Sequence, residues 1–411
     1  MKFAWDRNTE ITAADIPDLT EKIIFCDIFN KPIGLSALPE SLEYIKFGLN
    51  YNQPIGEGVL PISLKSIKFG WDYNQPIGEN ILPNFLESIA FIRAFNQTIS
   101  ENVLPNSLKS IKFGVCFNQP IGENVLPRSL ISIDFGWKFN QPIGENVLPS
   151  SLENIYFSHD FNQPIKPNVL PESLKYIKFG WNFNQPIGEN VLPSHLSHIY
   201  FFNFDHPIGK NVLPSNLVYI SFYNFNQSLG EFVIPNSVKS IIFCGNFNQP
   251  FGENVLPSSL ETIKFGDCFN KPFGENVLPN SLKYIELGHG YNQPITAVYN
   301  LNHLEHLKIL AKKPIEINVG LLPHSLKYLH IRNRDMIMSL NLHPQHIWFS
   351  VICCEMRKLL DITYPILHDA QYPRNDGYEI IGSETIDDME HDRLINPKIY
   401  QPRSNAKSAR K

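Results

Sequence analysis

The chain has 411 residues, 43% of them hydrophobic, and a formal net charge of −5, so it is long enough for an extensive core. This charge gives no electrostatic reason to expect a nucleic-acid partner or an anionic membrane. No apolar run approaches roughly 18 residues and the start has no apolar signal segment, so we expect no transmembrane span. The six cysteines lack Cys-x-x-Cys spacing, which favours a reducing, cytoplasmic location over a disulfide framework or zinc site.

After a short N-terminal lead (residues 1–15), a 22-residue phrase repeats from Ile16 to Ile331. Ten of the twelve intervals between its marker aromatic residues are 22 residues long and two are 21. These aromatics stand at positions 29, 51, 73, 95, 117, 139, 161, 183, 204, 225, 247, 269 and 291. Such a period is typical of stacked units, because one unit cannot bury its apolar face alone. The repeat predicts about 15 turns, degenerate at both ends.

Each unit predicts a short strand followed by an extended return segment. In one clear unit, Leu64, Ile67 and Phe69 follow the spacing L-x-x-L-x-L, which places a strand at about 64–69 with Ile67 and Phe69 facing inward. We expect Gly70 to end the strand by relaxing the backbone, and proline and glycine to bend the return segment. No segment has a helical period of useful length. The expected fold is a mainly β repeat solenoid, leucine-rich-repeat-like, with one long parallel sheet and little helix.

Stacking of these units predicts two internal features. The marker aromatics of successive turns would lie one above another as a spine inside the solenoid. An asparagine follows twelve of the thirteen marker aromatics, and Asp205 follows the other. A buried side-chain amide needs hydrogen-bond partners, and the backbone of the neighbouring turn can supply them. We therefore interpret these asparagines as structural residues.

The phrase Phe-Asn-x-Pro-Ile resembles the signature of the FNIP repeat family, which is found in social amoebae and in giant viruses that infect amoebae. The resemblance covers about residues 16–331 and implies a leucine-rich-repeat-like solenoid that binds proteins. Several family members carry an F-box before the repeats, which suggests substrate adaptors of ubiquitin ligases. Only about 15 residues precede the first half-unit here, too few for an F-box. The resemblance brings no catalytic residues.

The x positions of L-x-x-L-x-L point away from the core and form three rows along the expected concave face of the sheet. The first row alternates in charge, from Glu43 and Lys65 onward, and lapses at Ser197 and Val218. Near this lapse the other two rows become aromatic, at Tyr156, Tyr176, His198, Tyr200 and Tyr219. Aromatic residues with few charges are typical of an interface core. The alternative is that tyrosines simply pair well in sheets.

Other candidate sites are weaker. Trp71, Trp137 and Trp181 recur at the position after the strand-ending residue, where we expect packing at the rim of the sheet. Asp134 and Glu153 are the acids that come nearest to a catalytic pair on adjacent turns, and two lysines stand beside them. We therefore predict no catalytic, metal-binding or cofactor-binding residues.

The leading functional hypothesis is a non-catalytic scaffold that binds a protein partner on the concave sheet. One alternative is a substrate-selecting adaptor that lacks the F-box, and a remote one is a β-helix enzyme acting on carbohydrates. A C-terminal cap is expected at 332–354, and a polar, partly disordered tail at 355–411. The sequence does not predict the oligomeric state.

Overall fold

The computed structural model describes residues 1–313, 315–331, 338–339 and 348–351. They form a solenoid around one sheet of 17 strands. The strands of this sheet are β1 (Lys2–Trp5), β2 (Lys22–Phe25), β3 (Tyr44–Lys46), β4 (Ser66–Lys68), β5 (Ser88–Ala90), β6 (Ser110–Lys112), β7 (Ser132–Asp134), β8 (Asn154–Tyr156), β9 (Tyr176–Lys178), β10 (His198–Phe201), β11 (Tyr219–Phe222), β12 (Ser240–Phe243), β13 (Thr262–Phe265), β14 (Tyr284–Leu287), β15 (His306–Ile309), β17 (Tyr328–Ile331) and β19 (Trp348–Val351). Two shorter strands, β16 (Ile317–Asn318) and β18 (Met338–Ser339), pair separately.

Each strand of the long sheet pairs in parallel with the next one along the chain. The register advances by one repeat, as in the pairing of Ile67 with Ile89. The parallel solenoid predicted from the 22-residue period is therefore confirmed. Its first strand, β1, lies within residues 1–15, the segment expected to be a lead before the solenoid.

Helices are few and short. The described residues contain three 3₁₀ segments and no α-helix, which confirms the expectation of little helix; the segments are Ala13–Asp15, Thr296–Asn300 and Val319–Leu321. None of the helices in this part of the chain has the length and apolarity needed to span a bilayer.

Successive side chains of each strand point alternately to a buried face and to an open face of the sheet. In β4, Ile67 is buried while Ser66 and Lys68 are half-buried, and Leu64 and Phe69 are buried on either side of the strand. The same pattern recurs from β3 to β14, apart from the buried Ser240 in β12, because side chains alternate across a strand and the register keeps equivalent residues together. We call the face that carries Ser66 and Lys68 the open face of the sheet.

The marker aromatics form the predicted internal spine. Their ring centroids lie between 5.7 Å (Phe29 and Tyr51) and 6.5 Å (Phe183 and Phe204) apart in successive turns. A second series of buried rings, from Phe25 to Phe265, lies at or directly after the end of each strand from β2 to β13 and runs beside the spine. Phe91 and Phe95, one from each series, lie 3.8 Å apart with nearly parallel rings. Two columns of rings therefore run through the core beside its buried aliphatic side chains.

The asparagine beside each marker aromatic links adjacent turns. The Oδ1 atom of Asn118 accepts the backbone N–H of Asn140 at 2.8 Å and the side-chain amide of Gln141 at 3.2 Å. Equivalent bonds run from Asn8 to Asn292, which confirms the structural interpretation of these residues. The asparagine oxygen thus accepts hydrogen bonds from half-buried N–H groups of the next turn, which would otherwise lack partners.

Gly70 does more than relax the backbone at a strand end. A Cβ atom at this position would overlap the carbonyl oxygen of Gly48 in the preceding turn. The corresponding atom on Gly180 would overlap the carbonyl of Ser158. Glycine is required at these two positions because the backbones of adjacent turns approach each other closely there.

One residue in each return segment lies in the left-handed region, a feature that we did not predict. From Ser36 to Asn276 the residue with positive φ recurs once per turn, and in most turns it is an asparagine. Asparagine tolerates this conformation better than most residues. Ser36, Gly58 and Phe232 replace the asparagine in three turns, and Phe232, with a φ of +59°, is the bulkiest of them.

The C-terminal predictions lie mostly outside the described residues. Strand β19 pairs with β17 and falls within the expected cap at 332–354. The rest of that segment, apart from 338–339, and the tail at 355–411 lie outside the described part of the chain. The expected cap and the expected polar tail therefore stay predictions.

Candidate functional site

Four adjacent strands position the aromatic residues singled out on the open face. Tyr176 of β9 is in register with His198 of β10, which is in register with Tyr219 of β11. Tyr156 of β8 and Tyr200 of β10 belong to the next outward row. All five side chains are half-buried, because each packs against side chains of the adjacent strands.

The five rings are in contact as one group, which we call the open-face cluster. Ring centroids are 5.1 Å apart for Tyr156 and Tyr176, and 5.2 Å apart for Tyr176 and Tyr200. Tyr200 lies 4.9 Å from Tyr219, whose ring is 5.7 Å from that of His198. The sequence placed these residues on one face, and the structure brings all five together.

The polar atoms of the cluster lie near one another and near Ser197. The hydroxyl of Tyr200 faces those of Tyr176 and Tyr219, and burial raises the pKa of Tyr200 above its ordinary value. The Nδ1 atom of His198 lies 2.8 Å from the hydroxyl of Ser197. Burial lowers the pKa of His198, which favours its neutral form. The side chains of the open-face cluster are therefore uncharged near neutral pH.

The alternating first row forms ion pairs elsewhere on the sheet. Lys65 lies 2.6 Å from Glu43, and Lys175 lies 2.7 Å from Glu153. Glu261 is shared between Lys239 at 3.4 Å and another lysine. These side chains are largely exposed, so each pair contributes at most about 1 kcal/mol. The pairs are interrupted at Ile131 and again, over two turns, at Ser197 and Val218 beside the cluster.

A second set of aromatic rings lies along the rim of the sheet in the same turns. It consists of Trp137, His159, Trp181, Phe202 and Tyr223, which we call the rim row. The rings of Trp137 and His159 are 4.1 Å apart and nearly parallel, and Trp181 lies 5.7 Å from Phe202 and 5.1 Å from Tyr223. Of this row, only the tryptophans were expected at the rim.

The rim row could have been found from the sequence. Its members follow one another at the repeat interval, which shortens to 21 residues before Phe202 and Tyr223. Those two turns lack the residue that precedes Trp181 in its own turn, so each rim ring directly follows a buried phenylalanine. Allowing the shorter interval would have aligned all five rings.

A second group on the open face was also missed. Tyr284, His306 and Tyr328 occupy the same row as Tyr176, His198 and Tyr219. The rings of His306 and Tyr328 are 4.5 Å apart. Charged pairs surround this group, because Glu286 binds Lys308 at 2.9 Å and also accepts the hydroxyl of Tyr284. This group thus lies among charged side chains, whereas the side chains of the open-face cluster are uncharged.

The acids considered for catalysis are each bound to a lysine. Asp134 lies 3.3 Å from Lys112, and Glu153 is paired with Lys175. In the part of the chain that the structure describes, no group of three or more His, Cys, Asp or Glu side chains is placed to hold a metal ion. The open-face cluster and the rim row, which are both rich in aromatic side chains, are therefore the candidate binding surfaces.

Comparison with known proteins identifies the repeat. The FNIP Repeat family model matches residues 8–50, 29–72, 51–92, 73–116, 117–160, 161–204, 202–246, 225–268, 247–290 and 269–309. The chain is similar to CroV588, a circular leucine-rich-repeat protein of a giant virus, with 43% identity and a TM-score of 0.74. That similarity covers 84% of this chain and 55% of CroV588, so the chain spans about half the length of that protein.

A more distant likeness is to a chain of the mouse RP105/MD-1 complex, with 13% identity and a TM-score of 0.50. It covers 83% of this chain and 72% of that chain, and it shows the fold alone. None of the curated proteins matches the sequence.

Proposed function

The chain belongs to the FNIP repeat family, and from this premise we propose that it is a non-catalytic scaffold that holds a protein partner on the open face of its sheet. The observation that carries the proposal is the open-face cluster. Its five rings touch one another in the turns where the charged row lapses. Leucine-rich-repeat-like solenoids commonly serve as protein-interaction scaffolds, which supports the proposal.

The chemistry of the cluster suits a protein partner. Tyrosine offers a large apolar ring with a polar tip, and its two χ angles cost little entropy when it is held in an interface. The rings are already held by their neighbours, so little freedom remains to be lost on binding. Two of the first-row side chains beside the cluster, Ser197 and Val218, carry no charge whose removal from water would oppose the contact.

An affinity purification of the full chain tests this proposal. The wild type is compared with the double variant Tyr200→Ala/Tyr219→Ala, and bound proteins are quantified by mass spectrometry. We expect the specific partners of the wild type to be lost, because the centre of an interface carries most of its binding energy. Binding of each recovered partner is then measured with purified proteins.

The matched control is Tyr284→Ala/Tyr328→Ala, which removes two tyrosines from the same row outside the cluster. It should retain the partners, and both variants should keep the wild-type circular dichroism spectrum. If the folded Tyr200→Ala/Tyr219→Ala variant retains every partner, the open-face cluster is not the binding surface. Recovery of ubiquitin-ligase subunits with the wild type would favour the adaptor alternative.

A further inference from the structure

The open-face cluster and the rim row are joined by one lysine. Lys178 lies on β9, in register with Tyr156 on one side and Tyr200 on the other. Its Nζ atom lies over the ring of Phe202, 5.8 Å from the centroid. The aromatic surface therefore continues from the open face over the rim, with Lys178 between its two parts.

Lys178 differs from four of the charged residues in its row, which form two salt bridges. Lys112 is paired with Asp134, and Lys308 with Glu286. Within residues 1–313 and 315–331, by contrast, Lys178 forms no salt bridge. Its side chain is half-buried among rings, which leaves the ammonium group dependent on water and on the face of Phe202.

From this arrangement we infer that the partner presents an aspartate or glutamate side chain to Lys178, flanked by apolar or aromatic side chains that pack on the open-face cluster and the rim row. This inference rests on the proposed function. A partner that covers these rings also removes water from the ammonium group of Lys178. A buried charge without a counter-charge is strongly unfavourable, and a cation–π contact offsets only part of that cost.

The shape of the surface indicates an extended segment. The rim row spans five successive turns, from Trp137 to Tyr223. At about 4.8 Å between parallel strands, this corresponds to roughly 20 Å along the sheet. An extended peptide rises about 3.3 Å per residue, so about six residues cover that length. The occupant is thus a short acidic and apolar segment of another protein, and a basic segment would be repelled.

Selection from a random library of displayed peptides with blocked C-termini tests this inference on the full-length protein. Peptides are selected in parallel on the wild type, on Lys178→Glu and on Lys264→Glu. Lys264 is a matched control, because its Nζ atom also lies over a ring on the open face, 5.3 Å from the centroid of Tyr284. Lys264 lies outside both the open-face cluster and the rim row.

We expect wild-type peptides to share one acidic residue between apolar residues, and Lys178→Glu to select basic residues instead. A synthetic wild-type peptide should bind Lys178→Glu at least about tenfold more weakly, and should bind Lys264→Glu as it binds the wild type. Wild-type spectra and melting temperatures for both variants would exclude a folding defect.

The outcomes separate the two proposals. Peptides that require Tyr200 and Tyr219 but have no acidic preference, or that bind Lys178→Glu unchanged, would overturn the inference and leave the proposed function standing. Peptides that bind Tyr200→Ala/Tyr219→Ala as well as the wild type would count against both. A selection on the wild type without any enriched sequence would do the same.

Discussion

The Oδ1 atom of Asp205 lies 2.8 Å from the backbone nitrogen of Asn226 and accepts its N–H. The nitrogen of Asp205 in turn donates to Oδ1 of Asn184 at 2.9 Å. The carboxylate thus takes the place of the amide that neighbouring turns use. What these bonds need from the side chain is one oxygen atom at the correct distance.

Replacing Asn140 with leucine removes that oxygen. The backbone N–H of Asn162, 2.9 Å from Oδ1 of Asn140, and the amide of Gln163 would both lose this acceptor. We expect the free energy of unfolding to fall by about 1–3 kcal/mol, measured by urea titration with circular dichroism. Asn140→Asp keeps an oxygen and should cost clearly less. Equal losses in the two variants would show that the oxygen is not the essential group.

Two glycines of one turn should respond in opposite ways to alanine. Gly180→Ala places a Cβ atom on the carbonyl of Ser158, and we expect a loss of about 1–3 kcal/mol. In the part of the chain that the structure describes, no heavy atom lies within 4 Å of the equivalent position on Gly188, so Gly188→Ala should be neutral or stabilise by up to about 1 kcal/mol. Thermal unfolding of both variants measures the difference, and a destabilised Gly188→Ala would contradict the close-approach argument.

Tyr51 is a tyrosine of the internal spine, and none of the described residues supplies a hydrogen-bond partner for its buried hydroxyl. Tyr51→Phe keeps the ring and removes the uncompensated polar group, so we expect a gain of about 1 kcal/mol in the free energy of unfolding. Tyr291→Phe is the control, because the hydroxyl of Tyr291 donates to the carbonyl of Pro294 at 3.2 Å. This variant should lose stability in urea titration. A loss in Tyr51→Phe as well would indicate that its hydroxyl is satisfied.

Phe232 holds a left-handed backbone conformation while 64% of its surface is exposed. Its aromatic ring therefore contributes little burial to offset the backbone cost. Phe232→Asn introduces the residue that most turns have there, and we expect a gain of about 1 kcal/mol in thermal unfolding. Asn254→Phe makes the reverse change in the next turn and should lose stability. A loss in Phe232→Asn would mean that the ring contacts more than its exposure indicates.

His198 predicts a pH dependence of stability. Burial lowers its pKa in the folded protein, so the unfolded chain binds the proton more readily. The stability contribution is complete above the unfolded pKa of about 6.5 and is lost as the pH falls toward the lowered folded value. Titration of the ring by NMR, and urea unfolding of the wild type and His198→Gln at about pH 7.5 and about pH 5.5, measure this effect. Parallel pH profiles of the two proteins would contradict it.

The sequence was sufficient to predict the features of the fold that depend on the alternation of side chains along a strand and on the length of the repeat. Leu64, Ile67 and Phe69 are buried as their spacing predicts, because the register of a parallel sheet repeats one choice of face in every turn. The sequence did not predict why Gly70 is a glycine. Its Cβ would meet a carbonyl 22 residues earlier, and such a contact depends on how closely two backbones approach.

The part of the candidate site that lies on the strands could be predicted from the same alternation of side chains. Residues in outward positions of the strands, such as Tyr200 and Tyr219, could be placed on one face by counting. The rim row follows the strands, where the period changes from 22 to 21 residues, and a fixed count loses Phe202 and Tyr223. The position of Lys178 over Phe202 depends on side-chain direction across two turns, which spacing alone does not specify.

The asparagine bonds between turns have a consequence for the length of the protein. Each turn bonds only to the turns next to it, through positions that recur at the same interval, so a whole unit could be removed or duplicated without creating a new junction. Each unit added between Tyr219 and Tyr284 would move these residues apart by about 4.8 Å. The number of repeat units between them therefore sets the distance between two groups of aromatic side chains, in steps of one unit.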